Sequence, residues 1–253
     1  MIFYFSGTGN SLRVARSLAK PDNAMLYNMA TPISNLVSFE EIAVIGFVFP
    51  VYAWGMPKLV EQFIASLPII EQSTYVFAVF TCGDDVAYTD YLLKKALTTR
   101  GWHLNSAFSV QMRNTYVCLP GFDVDTESVV AAKEVKLKQR IAHIQSAIKQ
   151  KRSFREEELV RGSVPWVKHR ILRPIFNRFL TSDKHFKVDS LVCSHCQRCV
   201  KECPLSNITF NQDNCPTWNG HCTQCLRCYH ACPHHAISYG LFTRRKGQVK
   251  LFV

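Results

Sequence analysis

The chain has 253 residues, of which 47% are hydrophobic and 12% aromatic, which suffices for one mid-sized and one small domain and excludes wholesale disorder. No apolar run reaches the roughly 18 residues of a spanning helix, and the first residues lack the regions of a secretory signal, so we expect a cytoplasmic protein without a transmembrane segment. The formal charge of +11 accompanies no recognition motif, which argues against a nucleic-acid partner.

The first half of the chain alternates continuous apolar runs with amphipathic stretches. Strands are expected at residues 2–5, 42–51, 75–82 and 103–112, with a weaker one at 25–27; helices are expected at 11–20, 58–67, 86–100 and 127–149. Apolar strands separated by helices indicate a parallel sheet covered on both faces. The sequence therefore predicts an α/β domain over residues 1–150.

The expected first strand is followed by the sequence SGTGNS at residues 6–11. Its glycines let the backbone approach a ligand, and its hydroxyls and helix N-terminal amides suit a terminal phosphate. It is no Walker loop, because G-x4-G-K is absent, and Leu12 stands where a dinucleotide fingerprint needs its third glycine. A mononucleotide phosphate is favoured over a plain strand-to-helix turn.

Two further loops follow buried strands. PVYAWGMP at residues 50–57 offers aromatic faces, and TCGDD at residues 81–85 is followed by Tyr88. In a doubly wound sheet, ligands bind outside the carboxyl ends of the strands. The three loops together fit a flat heteroaromatic ring with a phosphate tail.

Nearly all the excess charge lies in one segment. Residues 133–187 hold 15 basic and 5 acidic side chains, a net charge of +10. A solvated linker, an acidic redox partner and an anionic membrane surface all stay open as explanations. Within a basic helical connector at residues 151–187, an apolar stripe recurs every four residues from Val167 to Phe179. We expect this stripe to pack against one of the domains, with a membrane-surface helix as the alternative.

The tail carries a doubled cysteine spacing. Two runs of C-x2-C-x2-C-x3-C-P occupy Cys193, Cys196, Cys199 and Cys203, and then Cys222, Cys225, Cys228 and Cys232. The doubled run is typical of bacterial ferredoxins, where the fourth cysteine of each run ligates the other run's cluster. One [4Fe–4S] cluster is thus predicted on the first triplet with Cys232, and the other on the second triplet with Cys203.

Other uses of these cysteines fit less well. Zinc takes four ligands in two pairs and does not explain triplets followed by Cys-Pro, and disulfide frameworks belong to short secreted chains. Cys82 and Cys118 are expected to be core or near-ligand thiols, and Cys215 lies between the runs. The crowded histidines of the tail are expected at the surface or beside the ligands.

The assembled pattern resembles the flavodoxin–ferredoxin fusion proteins. Residues 6–11 look like the flavodoxin loop for the FMN phosphate, and Gly83-Asp84 with Tyr88 looks like its G-D-x-x-x-Y loop. Three further parts of the tail also look like these fusion proteins: FKV at 186–188, Asn207-Ile208, and Pro216 with Trp218. Residues 50–57 depart from the flavodoxin tryptophan loop.

The resemblance implies a flavodoxin-like doubly wound parallel five-stranded sheet over residues 1–150 and a small α+β 2[4Fe–4S] ferredoxin domain over 188–253. It implies two cluster cofactors and FMN. By it, FMN binding is carried over to Ser6, Thr8, Gly9, Asn10, Ser11, Tyr52, Trp54, Gly83, Asp84 and Tyr88.

The leading hypothesis is a redox protein that exchanges electrons between the clusters and FMN, as a one- to two-electron converter. A soluble acidic partner such as a ferredoxin would supply electrons, and a partner or small acceptor would take them. The rival is a ferredoxin-dependent reductase of a quinone, tetrapyrrole or other unsaturated compound, which predicts an open pocket lined by Tyr52, Trp54, Met56, Asn114 and Tyr116. A structural or sensing role for the clusters is the third option.

Overall fold

Five parallel strands form the central sheet of the computed structural model, which describes residues 1–33, 39, 42–69, 74–241 and 243–252. The strands are β1 (Ile2–Tyr4), β2 (Leu26–Asn28), β3 (Val44–Pro50), β4 (Tyr75–Cys82) and β5 (Ser106–Gln111). They pair in the order β2-β1-β3-β4-β5, and every pairing is parallel. This is the order of flavodoxin-like doubly wound sheets, so the predicted five-stranded parallel sheet is confirmed.

Helices cover both faces of this sheet. They are α1 (Asn10–Ala19), α2 (Lys58–Ser66), α3 (Thr89–Thr98) and α4 (Glu127–Lys149). Apolar side chains of α2 and α3 pack in one core, and those of α1 and α4 pack in the other. All eight residues of β4 are buried, as a strand between two helical layers requires. The helix predicted at 86–100 begins later, at Thr89, because residues 83–88 form the loop after β4.

The connector continues as one helical segment. It comprises α5 (Pro165–Val167), a π-helical stretch at Lys168–Leu172 and α6 (Arg173–Phe179), and we call residues 165–179 the connector helix. The expectation that its apolar residues pack against a domain is wrong for Ile171, Ile175 and Phe179, which are 45%, 49% and 60% exposed. It holds for Phe176, which contacts Trp54 and Tyr116. In the described part of the chain, no helix combines the length and apolarity needed to span a bilayer.

The cysteine-rich tail is a small α+β unit. Its elements are β6 (Phe186–Val188), α7 (Arg198–Lys201), β7 (Ile208–Phe210), β8 (Pro216–Trp218), α8 (Arg227–Ala231) and β9 (Ile237–Tyr239). Two antiparallel pairs form, β6 with β9 and β7 with β8. Its assignment as a ferredoxin domain stays a prediction, as do the boundaries at 150 and 187.

The tail packs directly on the α/β unit. Val117 and Cys118, from the loop after β5, share a hydrophobic core with Phe186 and Tyr229 of the tail. Phe252 donates its backbone N–H to the carbonyl of Thr8 at 3.2 Å. The tail is thereby held against the carboxyl end of the parallel sheet.

Candidate functional site

A cleft of about 970 Å³ lies at the carboxyl ends of β1, β3 and β4. Its lining takes residues from all three loops that the sequence analysis singled out, at 6–11, 50–57 and 81–85. Parallel strands end at the same edge of a sheet, which explains why loops far apart in sequence meet here. The volume is at the upper end of the roughly 300–1,000 Å³ found for ligand pockets.

The first of these loops is tightly built. Gly9 adopts a left-handed φ of 102° and donates its N–H to the hydroxyl of Ser6 at 3.1 Å. The hydroxyl of Ser11 lies 2.7 Å from that of Thr81 on β4. This turn sets the start of α1 at the floor of the cleft, where helix N-terminal amides favour an anion.

Eight of the ten residues assigned to FMN by resemblance line the cleft: Ser6, Thr8, Asn10, Ser11, Tyr52, Trp54, Gly83 and Asp84. Gly9 lies instead against Phe252, whose carbonyl oxygen would clash with a Cβ added at position 9. Tyr88 packs outside the lining, with its ring centroid 5.7 Å from His169 and 5.2 Å from the guanidinium of Arg161.

Arg173 of the connector helix holds the aromatic loop in place. Its buried guanidinium donates to the carbonyls of Tyr52 at 3.1 Å, Ala53 at 3.3 Å and Met56 at 3.1 Å, and pairs with Glu61 at 2.9 Å. Burial lowers the pKa of Arg173, and Glu61 opposes that shift. The sequence does not single out Arg173, because nothing in a basic linker marks one arginine as buried.

A second cation from the connector helix enters the cleft. Lys168 pairs with the carboxylate of Asp85, and its ammonium lies 6.0 Å from the ring centroid of Trp54. Burial raises the pKa of the neighbouring Cys82 to about 12, with Asp85 and Asp84 adding to the rise. Cys82 is therefore a neutral thiol in the cleft wall, in agreement with its expected core role.

Aromatic side chains form one wall of the cleft. The ring of Phe176 lies 6.5 Å from Trp54 and 5.9 Å from Tyr116, and Tyr116 lies 5.6 Å from Phe122. All four rings belong to the lining. An apolar, aromatic wall beside a polar loop is the usual construction of a site for a planar ligand.

Several polar atoms of the lining lack a partner. Among the described residues, the buried side-chain atoms without a hydrogen bond include Asn10 Oδ1, Asp85 Oδ1, Gln224 Oε1 and Tyr116 Oη. Three of these are pure acceptors, and a buried polar atom left unpaired costs about 1–3 kcal/mol. The cleft therefore suits a ligand that offers hydrogen-bond donors.

Thiols of the two cysteine runs fall into two groups that cross the runs. Burial raises the pKa of Cys222 to about 12 and of Cys225 to about 11, and Cys203 of the other run adds to both rises. Burial likewise raises the pKa of Cys199 to about 11, with Cys232 and Cys196 adding to it. The fourth thiol of each run is thus an electrostatic neighbour of the other run's triplet.

The backbone repeats between the runs. Left-handed φ values occur at His195 and Gln197 in the first run and at the matching Gln224 and Leu226 in the second. The amides of Asn207 and Ala236, each four residues after the last cysteine of a run, both donate to that cysteine's sulfur at 3.3 Å. The same loop is therefore built twice.

None of the cysteines forms a disulfide. Within the described residues, no three His, Cys, Asp or Glu side chains converge closely enough for a single metal ion. Cys118 is buried, as expected of a core thiol, and Cys215 is partly exposed between the runs.

The second run adjoins the cleft. Cys222 and Cys225 belong to its lining, and a Cβ added to Gly7 would meet Cys225 Cβ at 2.7 Å and Tyr52 Oη at 2.6 Å. Arg227 donates to the carbonyl of Gly7 at 2.8 Å. The close approach of these loops depends on the missing side chain at Gly7.

No family model and no curated protein matches the sequence. Fifteen solved chains match in structure. One is a candidate flavoprotein from Bacteroides uniformis, with a TM-score of 0.35 and 18% identity over 44% of this chain and 90% of that one. Another is the Trp repressor binding protein from Bacillus subtilis, with a TM-score of 0.42 and 13% identity over 58% of this chain and 97% of that one.

Proposed function

We propose that this chain is an electron-transfer protein that binds one FMN in the cleft and two [4Fe–4S] clusters on the eight cysteines of the tail. The clusters exchange single electrons, whereas a flavin exchanges one or two, so their combination converts between the two kinds of redox chemistry. The observation that carries the proposal is the contact between the two sites, since Cys225 lies against Gly7 of the predicted phosphate loop.

The grouping of the thiols supports the clusters. A cubane bonds each thiolate through a different iron, so its four sulfurs stand farther apart than the ligands of one ion. Thiols that are electrostatic neighbours across the runs agree with two clusters that each take the fourth cysteine of the other run. Amides that donate to Cys203 and Cys232 would stabilise the thiolate form.

The cleft fits a flavin mononucleotide. The loop at 6–11 and the start of α1 would hold the phosphate, and the aromatic residues Tyr52 and Trp54 would face the ring. The unpaired acceptors Asn10 Oδ1 and Asp85 Oδ1 match the hydroxyls of a ribityl chain and the N–H of the ring.

The two runs differ in their access to solvent. Cys196 is exposed, and so are the neighbouring Arg198 and Lys201, whereas Cys225 faces the cleft. A soluble acidic redox protein would therefore dock at the first run, where two cations can meet its charge. Electrons would then enter at the cluster of the first run and pass to the cluster of the second run, which lies beside the flavin.

Rapid mixing of the anaerobic protein with a reduced soluble ferredoxin tests the proposal. The flavin absorbance should bleach in the wild-type chain and in Cys215→Ser, whose thiol lies outside both groups. Cys203→Ser, which removes a thiol of the second group without touching the cleft lining, should keep its flavin and lose most of the bleaching. Equal bleaching in both variants would refute transfer through that group.

A second candidate function is a reductase with a substrate in the same cleft. All five residues expected around such a substrate, Tyr52, Trp54, Met56, Asn114 and Tyr116, line the cleft. Turnover of quinones or tetrapyrroles with reduced ferredoxin, measured under steady-state conditions, distinguishes this function from transfer to a protein. The substitution Tyr116→Phe should raise the KM for the substrate if Tyr116 Oη binds it, and the flavin content should stay unchanged.

A further inference from the structure

The connector helix leaves an apolar face in solvent. Ile171, Ile175 and Phe179 are spaced four residues apart and therefore lie on one side of the helix. Each is at least 45% exposed, and Trp166 at the start of the helix is 58% exposed. We call Ile171, Ile175 and Phe179 the outer stripe.

The other side of the same helix is already bound to the α/β unit. Arg173 holds the aromatic loop through three carbonyls, Lys168 pairs with Asp85, and Phe176 packs between Trp54 and Tyr116. The helix is thus fixed in orientation by its inner side. The outer stripe cannot turn inward without breaking these contacts.

The outer stripe is flanked by positive charge. The sequence from residue 159 to 182 contains no acidic residue. The exposed cations of the helix are Arg170 and Arg178, of which Arg178 also borders the cleft. The guanidinium of Arg178 lies 5.6 Å from the ring of Phe179. Exposed Trp, Ile and Phe with arginines beside them, on a helix without acids, is the pattern of helices that lie in a membrane interface.

Two other occupants of the stripe fit these charges less well. A second copy of the chain would bring Arg170 and Arg178 of both copies together, with no acid on the segment to offset them. An acidic protein would satisfy the arginines but would gain nothing specific from apolar side chains spread over the 14 residues from Trp166 to Phe179, about 20 Å of helix. Anionic lipid satisfies the stripe and the arginines at once.

We propose that the connector helix docks on anionic membrane surfaces, with the outer stripe at the boundary of headgroups and acyl chains and Arg170 and Arg178 at the lipid phosphates. The proposal does not depend on the cofactors. It also accounts for part of the net charge of +10 at residues 133–187. Arg173 and Lys168 form ion pairs within the fold, whereas Arg170 and Arg178 form none with the described residues.

Flotation of the full chain with vesicles tests the proposal. We expect binding to vesicles of equal parts phosphatidylcholine and phosphatidylglycerol, weak binding to phosphatidylcholine alone, and release by high salt. The double variant Ile175→Ser/Phe179→Ser should weaken binding at least about tenfold, since it removes two apolar side chains from the interface. The control Ile69→Ser, at an isoleucine that is 70% exposed on the α/β unit, should bind like the wild type.

Circular dichroism of each variant shows whether it is folded. Failure to bind either vesicle, or equal binding by the double variant and the wild type, would overturn the proposal. So would a dimer seen by light scattering that the double variant abolishes, which would assign the stripe to a second copy. Binding to an acidic ferredoxin through this stripe, without binding to vesicles, would assign it to a protein partner.

Discussion

Replacing Arg173 by alanine should loosen the aromatic loop and lower the stability of the chain. The buried guanidinium makes hydrogen bonds to the carbonyls of Tyr52, Ala53 and Met56 and pairs with Glu61. An alanine side chain reaches none of these partners. The loop at 52–56 would then be attached to the connector mainly through Phe176.

The size of the effect follows from these contacts. Hydrogen bonds to a charged group contribute roughly 1.5–3 kcal/mol each, and a buried carbonyl left unpaired costs about 1–3 kcal/mol. The variant recovers the desolvation cost of the buried guanidinium, and Glu61 can return to water because its side chain is 43% exposed. We therefore expect a net loss of about 2–4 kcal/mol, or a fall of about 4–16 °C in Tm for a chain of this size.

Thermal unfolding followed by circular dichroism measures the loss directly. Arg170→Ala is the matched control, since Arg170 is exposed on the same helix and should change stability by less than about 0.5 kcal/mol. Arg173→Lys keeps the charge but not the planar fork, so it should fall between alanine and wild type. If Arg173→Ala and Arg170→Ala melt together, the guanidinium does not hold the loop.

Three further changes test separate contacts. Gly7→Ala should lower the amount of flavin extracted from the purified chain, because its Cβ would stand 2.7 Å from Cys225 Cβ; unchanged flavin would show that the loops can part freely. Burial raises the pKa of Glu158, but hydrogen bonds from His143 and Arg140 outweigh it, so the net pKa is lowered. The contribution of Glu158 to stability is therefore present above its ordinary pKa of about 4.3 and is lost as the pH falls through the lower pKa of the folded state. Glu158→Gln should reduce stability at pH 7 and weaken the loss of stability at acid pH, measured by urea unfolding. Phe252→Ala removes a ring that contacts the guanidiniums of Arg13 and Arg113, and it should lower the free energy of unfolding in urea by about 1–2 kcal/mol. Unchanged stability would show that the end of the chain is detached from the α/β unit in solution.

The parallel sheet was predictable because its strands are uninterrupted apolar runs. Residues 75–82 are an example, since a strand buried along all eight positions needs an apolar residue at nearly every one. The convergence of the loops at 6–11, 50–57 and 81–85 followed from strand direction alone. Helix α4 was predicted at its observed bounds, because its charged and apolar residues run without a break from Glu127 to Lys149.

The connector helix shows what periodicity leaves open. A repeat of four residues identifies a face, but it does not say whether protein covers that face. The structure buries Arg173 and exposes Ile175, the reverse of what hydropathy predicts. The reason is that the loop at 52–56 offers three carbonyls to a guanidinium, and that geometry is absent from the connector's own sequence.

Contacts between units were also beyond the sequence analysis. The approach of Cys225 to Gly7 and of Phe252 to Thr8 depends on how the tail docks on the sheet. The spacing of the cysteines predicts which thiols share a group, but it carries no information about which group adjoins the cleft. The glycine at position 7 becomes meaningful only once the tail is in place.

We propose that the cleft at the carboxyl end of the sheet and the eight cysteines of the tail hold FMN and two cubane clusters in one chain. The most direct measurement is the iron, labile sulfide and extracted flavin content of anaerobically purified protein. We expect about eight irons and eight sulfides per chain, together with one equivalent of FMN. Protein that contains zinc or no labile sulfide, or that lacks FMN, would contradict it.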